Sequence, residues 1–517
     1  MKYKAFSFFK SVALFFIGCT AIVNITGCTK NFEERNTDPT RVTSLTPNDL
    51  LAFITTAEKN SLYTDGYQIA QGLFADQYCQ YFAGTQPAFD SHRYVIHQSW
   101  VSYQFSTIYG GVMPALVNII NNSKDGKAPT LNAIARIYKV FVLHRTTDYY
   151  GPIPYSKIGS DSSVINYDPQ DVIYKDFFKE LREAAADLKN NITITTPSFG
   201  DKDRIYGGNL SQWLKFCNTL RLRLALRVSK IDPVLAKVEA EAAVADGVLI
   251  DASDDAIFKV NADFFNSFGL QSGWNEFRMS ATMESVLKGF NDPRMSKYFQ
   301  PAASGGYHGA RNGMKPSEQS EVLNDYTHNS NVNAALTPDF ISTTNMSVMR
   351  SAEAYFLRAE GALNGWNMNG NAKDMYEQGI KTAMESWGIT DAAAVTAYIN
   401  GMGTPIALND FFNTPALTDI PVKWASVEEK QREQIGTQKW LAIYPDGHEA
   451  WANMRRSNYP KIYPLINSDN PDVPKTAMIS RITFLDAERQ RNGPAVKAAE
   501  ALLGGPDKAS TPLWWDK

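Results

Sequence analysis

His448 and Glu449 stand together in a segment of helical periodicity, as in the first half of a zinc-binding helix. Ala452 occupies the position where the second histidine would have to lie one turn on to share the metal, so the motif fails. His92 and His97 are five apart in a stretch without helical pattern, a spacing that puts no two imidazoles on one helix face. The chain has neither a Gly-x-Ser-x-Gly nucleophile elbow nor a glycine-rich phosphate loop. Spacing singles out no carboxylate pair of the glycosidase kind, because any chain with many acids offers pairs. The densest acidic run, Asp251-Ala252-Ser253-Asp254-Asp255, fits a turn, with weak calcium affinity as the alternative. No catalytic residue, metal site or cofactor site emerges apart from that calcium alternative.

Aromatic side chains are abundant, at 12% of residues, and their flat faces suit stacking on sugars or other flat ligands. Amides and guanidinium groups beside them can hydrogen-bond hydroxyls. Two irregular segments concentrate both kinds of group. The first holds Gln80, Tyr81, Phe89, His92, Tyr94 and Trp100; the second holds Phe264, Phe265, Trp274, Asn275, Arg278, Tyr307 and His308. Loops carried on a rigid scaffold are where recognition concentrates. Trp274, between Gly273 and Asn275, leads these candidates, and Tyr307, after Gly305-Gly306, follows. The competing role for each is to plug the scaffold. For Trp100, which opens a helical pattern shared with Tyr109, core packing is the stronger expectation.

The elements that must hold these loops are mostly helical. A helical pattern is expected from Pro47 to about Tyr81 and from about Trp100 to Asn121, with a loop over 84–98. Three helix pairs follow. Leu131, Ile134, Ala135, Tyr138, Phe141, Val142 and Arg145 share one face, and Pro169-Gln170-Asp171 opens the partner that runs to about Asn190. Asn209, with Gln212 three residues on, has the form of a helix cap, and Pro233 opens the second partner helix. The third pair spans about 347–365 and 372–387, with Ala352, Ala354, Ala359, Ala362 and Ala383 where helices would cross closely. Small residues at crossings with bulky ones between resemble degenerate tetratricopeptide repeats. Residues 251–346 and the stretch from about 466 onward are expected to be irregular. Cys79 and Cys217 lie in apolar helical contexts and are expected as buried thiols, with one disulfide between them as the alternative. A net charge of −3 offers no nucleic-acid footprint.

The chain opens with Lys2, Lys4 and Lys10, followed by an uncharged run from Ser11 to Val23, the form of a secretory signal peptide and too short for a membrane span. Ile25-Thr26-Gly27-Cys28 resembles a bacterial lipobox. Residues 1–27 are expected as the leader, Cys28 as the lipid-bearing N-terminus, and 28–46 as a polar tether to a body over 47–517. Cys19, preceded by Gly18, is the competing site, and a plain secreted protein with a free Cys28 is the other alternative.

Several blocks recur in one order along the chain. They are Cys28 to Glu34 with Asn36-Thr37-Asp38-Pro39; Tyr150-Gly151-Pro152-Ile153-Pro154-Tyr155-Ser156; and Ala352 to Glu360 with Gly365-Trp366. Then come Gln438-Lys439-Trp440-Leu441-Ala442 with Glu449-Ala450-Trp451, Arg455-Arg456 and Tyr459-Pro460; Arg481 to Phe484 with Glu488-Arg489 and Asn492; and Gly504 to Asp507 with Trp514-Trp515-Asp516. Together they resemble the SusD/RagB family of nutrient-binding outer-membrane lipoproteins, in its SusD-like branch. Phe484 stands where the family often shows a tyrosine or a proline-flanked aromatic. The resemblance implies a tetratricopeptide-like helical superhelix with an irregular, loop-rich ligand face. It also implies an outer-membrane lipid anchor, no enzymatic activity, and a SusC-like TonB-dependent transporter as partner, to which a captured oligosaccharide or other nutrient is delivered. An adaptor that binds only the transporter, or a glycoside hydrolase, are the competing functions. Glu360, Arg358, Glu449, Arg455 and Arg456 of these blocks are expected to form a buried ion network, and Trp440, Trp451, Trp514 and Trp515 to pack in the core.

Overall fold

Three antiparallel helix pairs make the scaffold, and each begins and ends where local chemistry requires. In the first, α4 (Pro129–Tyr150) has proline in its opening turn and stops at Gly151, whose φ of 88° suits glycine. It packs on α5 (Gln170–Asn190). On α5, Ile173, Tyr174, Phe177, Phe178, Leu181, Ala184, Ala185 and Leu188 recur at three- and four-residue steps, and all are buried. A buried Leu or Phe contributes about 1.5–3 kcal/mol, so this stripe fixes which face turns inward. In the second pair, the Asn209 side chain accepts from the Gln212 amide at 3.2 Å and starts α6 (Leu210–Arg227). Asp232 caps α7 (Pro233–Ala245) in the same way. The third pair is α8 (Ser351–Leu363) and α9 (Ala372–Glu385). Ala352, Ala354, Ala359 and Ala383 are buried at its crossing, with Ala362 at the margin. At Gly379 the two helices approach closely: a Cβ there would lie 2.9 Å from the Phe356 ring. Successive pairs stack, α5 on α6 and α6 on α8, in a tetratricopeptide-like arrangement.

The structure, a computed structural model, describes residues 45–516 apart from 63–65, 125, 161, 163, 195–197 and 338–343. The expected leader, Cys28, Cys19 and nearly all of the tether lie outside the described residues. No described helix is long and apolar enough to cross a membrane.

Two long helical expectations are interrupted. α1 ends at Ser61 (Pro47–Ser61), and the chain resumes as a π turn, Gln68–Gly72, and a short helix, Ala75–Tyr78. The second stretch is α2 (Gln98–Thr107) and α3 (Met113–Asn122), joined by a π turn over Ile108–Val112 that contains Gly110 and Gly111. Six short strands pair in twos: β1 (Phe82–Gly84) with β5 (Phe277–Met279), β2 (Ile153–Pro154) with β3 (Tyr167–Asp168), and β4 (Ala256–Phe258) with β6 (Met346–Met349). The irregular 251–346 stretch therefore holds strands, and also a buried helix at Ala281–Gly289. Asp251, Asp254 and Asp255 serve different partners: Asp251 caps the turn, Asp254 takes Lys215 at 2.8 Å, and Asp255 takes Ser351 and Arg350. Among the described residues no group of three or more metal-ligating side chains converges. Cys79 and Cys217 are buried free thiols, not a disulfide.

Two further helices, α10 (Glu428–Ala442) and α11 (Gly447–Ser457), close the scaffold through ion pairs. Glu353 of α8 receives Arg223 of α6 through Nε (2.9 Å) and Nη2 (2.5 Å), and Lys439 of α10 lies 3.3 Å away. Glu449 of α11 receives Lys439 at 2.9 Å and Arg227 of α6. Arg227 also lies 3.2 Å from Asp148 of α4. Three cations thus face three carboxylates, all buried. The flanking cations hold the Glu449 carboxyl well below the usual carboxylate range despite its burial. Arg456 forks onto Glu360 at 2.5 and 2.6 Å, and Arg455 donates to the Asp148 carbonyl at 2.9 Å. Arg358 departs from the network, donating to the Met368 and Asn369 carbonyls instead of a carboxylate. Trp440, Trp451 and Trp515 are core; Trp514 is half-buried.

Removing one member strands its partners without solvent. Glu449→Ala is expected to lower unfolding free energy by roughly 3–5 kcal/mol, measured by urea denaturation. A loss below about 1 kcal/mol, the value of a surface pair, would refute the network's role. A second buried carboxyl, Asp76, accepts from Tyr67 (2.7 Å) and Gln71 (2.8 Å), with Arg145 and Asp446 beyond them. Burial pushes it up to about 7. The folded state therefore holds this proton more tightly than the unfolded chain does. Its stabilising effect is complete below the unfolded value near 4 and is lost as pH rises through about 7. Relative to Asp76→Asn, which cannot ionise, wild type should lose up to roughly 4 kcal/mol of stability between pH 4 and 8. Parallel pH profiles in urea titrations would contradict this.

Candidate functional site

The loop face is built on the β1–β5 ribbon, in which Phe82, Ala83 and Gly84 pair with Met279, Arg278 and Phe277. The short helix Phe268–Gly273 leads into it, and Trp274 sits at the turn between them, 41% exposed. Such exposure of a tryptophan on a well-braced turn is informative, because this side chain ordinarily buries most of its surface. Asn275 takes a left-handed conformation, φ 59°, which asparagine tolerates better than most residues. Its carbonyl accepts from Thr85 Oγ1 at 2.9 Å, and the neighbouring Glu276 carbonyl accepts from the Thr85 amide at 2.9 Å.

Arg278 is buried, so it is not the exposed ligand contact its sequence context suggested. Its guanidinium acts as a brace. Nη2 donates to Asn275 Oδ1 at 2.6 Å, Nε donates to the Tyr326 carbonyl at 3.0 Å, and its plane lies 5.2 Å from the centre of the Tyr326 ring. Burial lowers this guanidinium to about 10, still charged at neutral pH. The brace ties the Trp274 turn to a second loop, on which Tyr326 is also 41% exposed. Tyr326 was missed from the sequence. Its signal is the same as that of Trp274, a lone aromatic among polar residues: Asn324, Asp325, Thr327, His328 and Asn329.

The loop carrying Tyr307 joins this group. His308 stacks on His328 at 4.7 Å, and the Ser330 amide donates to the His308 carbonyl at 2.8 Å. Tyr307 itself is half-buried. Phe265 is half-buried too, and its neighbour Phe264 lies beneath Lys59 and Arg204, against the helical body. Trp100 is half-buried in a separate cluster with Phe89 (5.6 Å) and His97 (4.1 Å).

His92 and Tyr94 are corrections, since both are buried. His92 packs against Gly84, where a Cβ would come within 2.9 Å of its ring. Burial, with Arg93 adjacent, pulls its imidazole down to about 4, so it is neutral. Tyr94 turns inward on a left-handed backbone, φ 68°, and meets Tyr78 edge-on at 5.5 Å.

The face therefore offers two exposed aromatic rings on loops linked by one guanidinium, with amides and hydroxyls around them. Comparison with known proteins agrees with this architecture. Residues 29–516 match the family described as SusD-like, Susd and RagB outer membrane lipoprotein. Comparison with curated protein sequences gives no match. Among solved structures, a chitin-binding SusD homolog from Flavobacterium johnsoniae is 35% identical, with a TM-score of 0.82, covering 90% of this chain and 98% of its own. A SusD homolog from Bacteroides thetaiotaomicron is 30% identical, TM-score 0.81, over 90% of this chain and 99% of that one. One from Bacteroides vulgatus is 31% identical, TM-score 0.82, over 91% and 99%. With a family match over nearly its whole length and relatives of this similarity, the chain belongs to the SusD-like family.

Proposed function

We propose that this protein is a cell-surface glycan-binding lipoprotein. It captures an oligosaccharide on the face carrying Trp274 and Tyr326 and delivers it to a SusC-like TonB-dependent transporter in the outer membrane. The observation that carries this reading is the pair of exposed rings on two loops tied together by Arg278. Loops held in advance lose little freedom on binding, which favours stacking of their rings on a sugar. The 35%-identical relative is described as chitin-binding, which supports a glycan as the ligand class. Lipid on Cys28 would hold the body at the membrane, and the polar segment to Thr46 would serve as its leash. Tyr307 and Asn275 belong to the same face and are assigned to its rim. Phe265, Trp100, His92 and Tyr94 are not.

An adaptor that touches only the transporter would share the fold but not the ligand. Affinity electrophoresis and calorimetry of the full chain against a polysaccharide panel that includes chitin oligosaccharides separate the two. Trp274→Ala should weaken glycan binding by about tenfold or more, and Tyr326→Ala by about three- to tenfold, the range expected for losing one stacked ring. No sugar should be released. Cleavage abolished by loss of one carboxylate would identify a hydrolase. Absence of binding across the panel, with a transporter still co-purifying, would favour the adaptor.

A further inference from the structure

After α11 the chain runs through residues 458–478 without helix or strand and turns back on itself, the Leu465 amide donating to the Lys475 carbonyl at 2.9 Å. Two recesses open along this run, one of 650 Å³ and one of 250 Å³. They meet at Lys475, which lines both, and so form one elongated groove. No residue of the Trp274–Tyr326 face lines it.

The groove is positive in a chain whose net charge is −3. Lys461 lines the larger recess, Lys315 the smaller and Lys475 both, and all three are exposed, so an incoming acceptor can reach them. Among the described residues their ammonium groups have no carboxylate partner; Lys461 lies 4.7 Å over the Tyr459 ring, which leaves its charge uncancelled. Arg455, in the wall of the larger recess, spends its donors on the carbonyls of Trp451, Asp148 and Ser480, so it adds positive potential without a contact. Asp516 is the one acid among the described lining residues, and burial raises its carboxyl above the usual range. The carboxylates beside the groove are engaged elsewhere: Asp469 by Arg93, Asp472 by Lys508, and Glu318 by the Lys315 amide and the Asn467 side chain. An anion is therefore the complement of this surface. The wall between the lysines is aliphatic, with Ile462 and Met478 half-buried and Met454 and Leu465 beneath. The rings of the lining, Tyr94 and Tyr463, are buried, so no open face is presented for a sugar to stack on. A purely polar anion would leave the aliphatic wall in water, and a neutral apolar ligand would leave the lysines unmatched. An extended peptide satisfies both, because its successive side chains point to opposite sides.

We propose that this groove docks an extended acidic peptide segment of a partner protein, its carboxylates on Lys315, Lys461 and Lys475 and its aliphatic side chains against Ile462 and Met478. The site goes beyond the glycan reading and does not depend on it. Fluorescence anisotropy tests it with the full chain and a labelled synthetic peptide of about twelve residues, about 40 Å when extended, in which Asp or Glu alternates with Leu or Ile. Wild type should bind this peptide with a Kd of about 100 µM or tighter, and binding should weaken about tenfold or more between about 50 and 500 mM salt. Lys475→Gln should weaken it by about two- to fivefold, and Lys315→Gln, Lys461→Gln and Lys475→Gln together by about tenfold or more. All three side chains are exposed, so the variants should keep the wild-type thermal transition. Trp274→Ala should bind the peptide, and the triple variant should bind polysaccharide, within about twofold of wild type. If the acidic peptide does not bind while polysaccharide does, the groove proposal fails and the glycan reading stands. Loss of polysaccharide binding in the triple variant would make the groove part of the sugar site and overturn the proposal. Equal binding of a peptide with lysine in place of its acids, or with serine in place of its Leu and Ile, would overturn the match of charge or of apolar wall. Tighter, lysine-dependent binding of polygalacturonate or of phosphatidylglycerol vesicles would replace the peptide by an anionic polysaccharide or a membrane.

Discussion

The rest of the structure depends on the burial of three carboxylates against three cations at the meeting of five helices. Asp148, Glu353 and Glu449 come from α4, α8 and α11; Arg223 and Arg227 come from α6; Lys439 comes from α10. Isolated ions in such a place would cost several kcal/mol each. Paired ions cost far less, but only in one registration. If α6 slid by one turn, one of Arg223 and Arg227 would take the other's place and the other would be carried away from its carboxylates. The network is therefore less a source of stability than a constraint on which packing of these helices is allowed, a role buried ion pairs have in some proteins. Hydrophobic stripes such as that of α5 favour collapse, yet they are tolerant of sliding. The charges are not.

That constraint reaches the ligand face through a short chain of contacts. Lys439 is in the network, and the next residue, Trp440, donates its indole N–H to the Cys79 carbonyl at 3.0 Å. Tyr81 stacks on Trp440 at 5.3 Å and donates its hydroxyl to the Trp440 carbonyl. Phe82 then begins the ribbon with β5, where Arg278 braces Trp274 and Tyr326. The exposed rings are thus only a few bonded or hydrogen-bonded steps from the most rigidly specified part of the interior. This is how irregular loops can hold a binding geometry: the loops are irregular in backbone, but their ends are fixed.

The helical pairs were legible because their causes are local. The stripe on α5, the Asn209 cap and the Pro233 start are all set by neighbours within a turn or two. The buried ion network was also legible, because ionisable residues repeatedly set among apolar ones in a helix need partners. Arg358 and Arg455 were the exceptions: both donate to backbone carbonyls and neither meets a carboxylate, Arg455 going to Trp451, Asp148 and Ser480. Arg358 faces the carbonyls of a following loop, whose course sequence does not announce. The loop face was half legible. Trp274 is exposed as its glycine and asparagine neighbours suggested. Arg278 looks like a ligand contact until Tyr326, 48 positions later, supplies the partners for its guanidinium. His92 and Tyr94 looked exposed because their segment lacks periodicity. Whether a loop residue points in or out is decided by what it meets, here Gly84 and Tyr78, and those contacts are long-range or depend on a left-handed turn. After the first long helix ends, Gly72 closes the π turn and leaves room for the Gln271 side chain, which would lie 2.0 Å from a Cβ there, a contact with a residue nearly two hundred positions away.

Charge and aromatic surface are consequently assigned to different places. The interior uses ions for registration, and their partners leave no net charge to attract a ligand. The surface uses rings whose contact energy does not depend on charge. A change of ligand can then proceed by exchanging rings on the Trp274 and Tyr326 loops, with no effect on the ions that align the helices. Arg278 is the point where this separation is narrowest. It is buried like the network, yet every one of its donors goes to the backbone or to Asn275, and none goes to a carboxylate. It can therefore tie two ligand loops together without drawing on the charges that register the helices. Shortening this side chain would loosen the rings while leaving the scaffold's ion pairs intact.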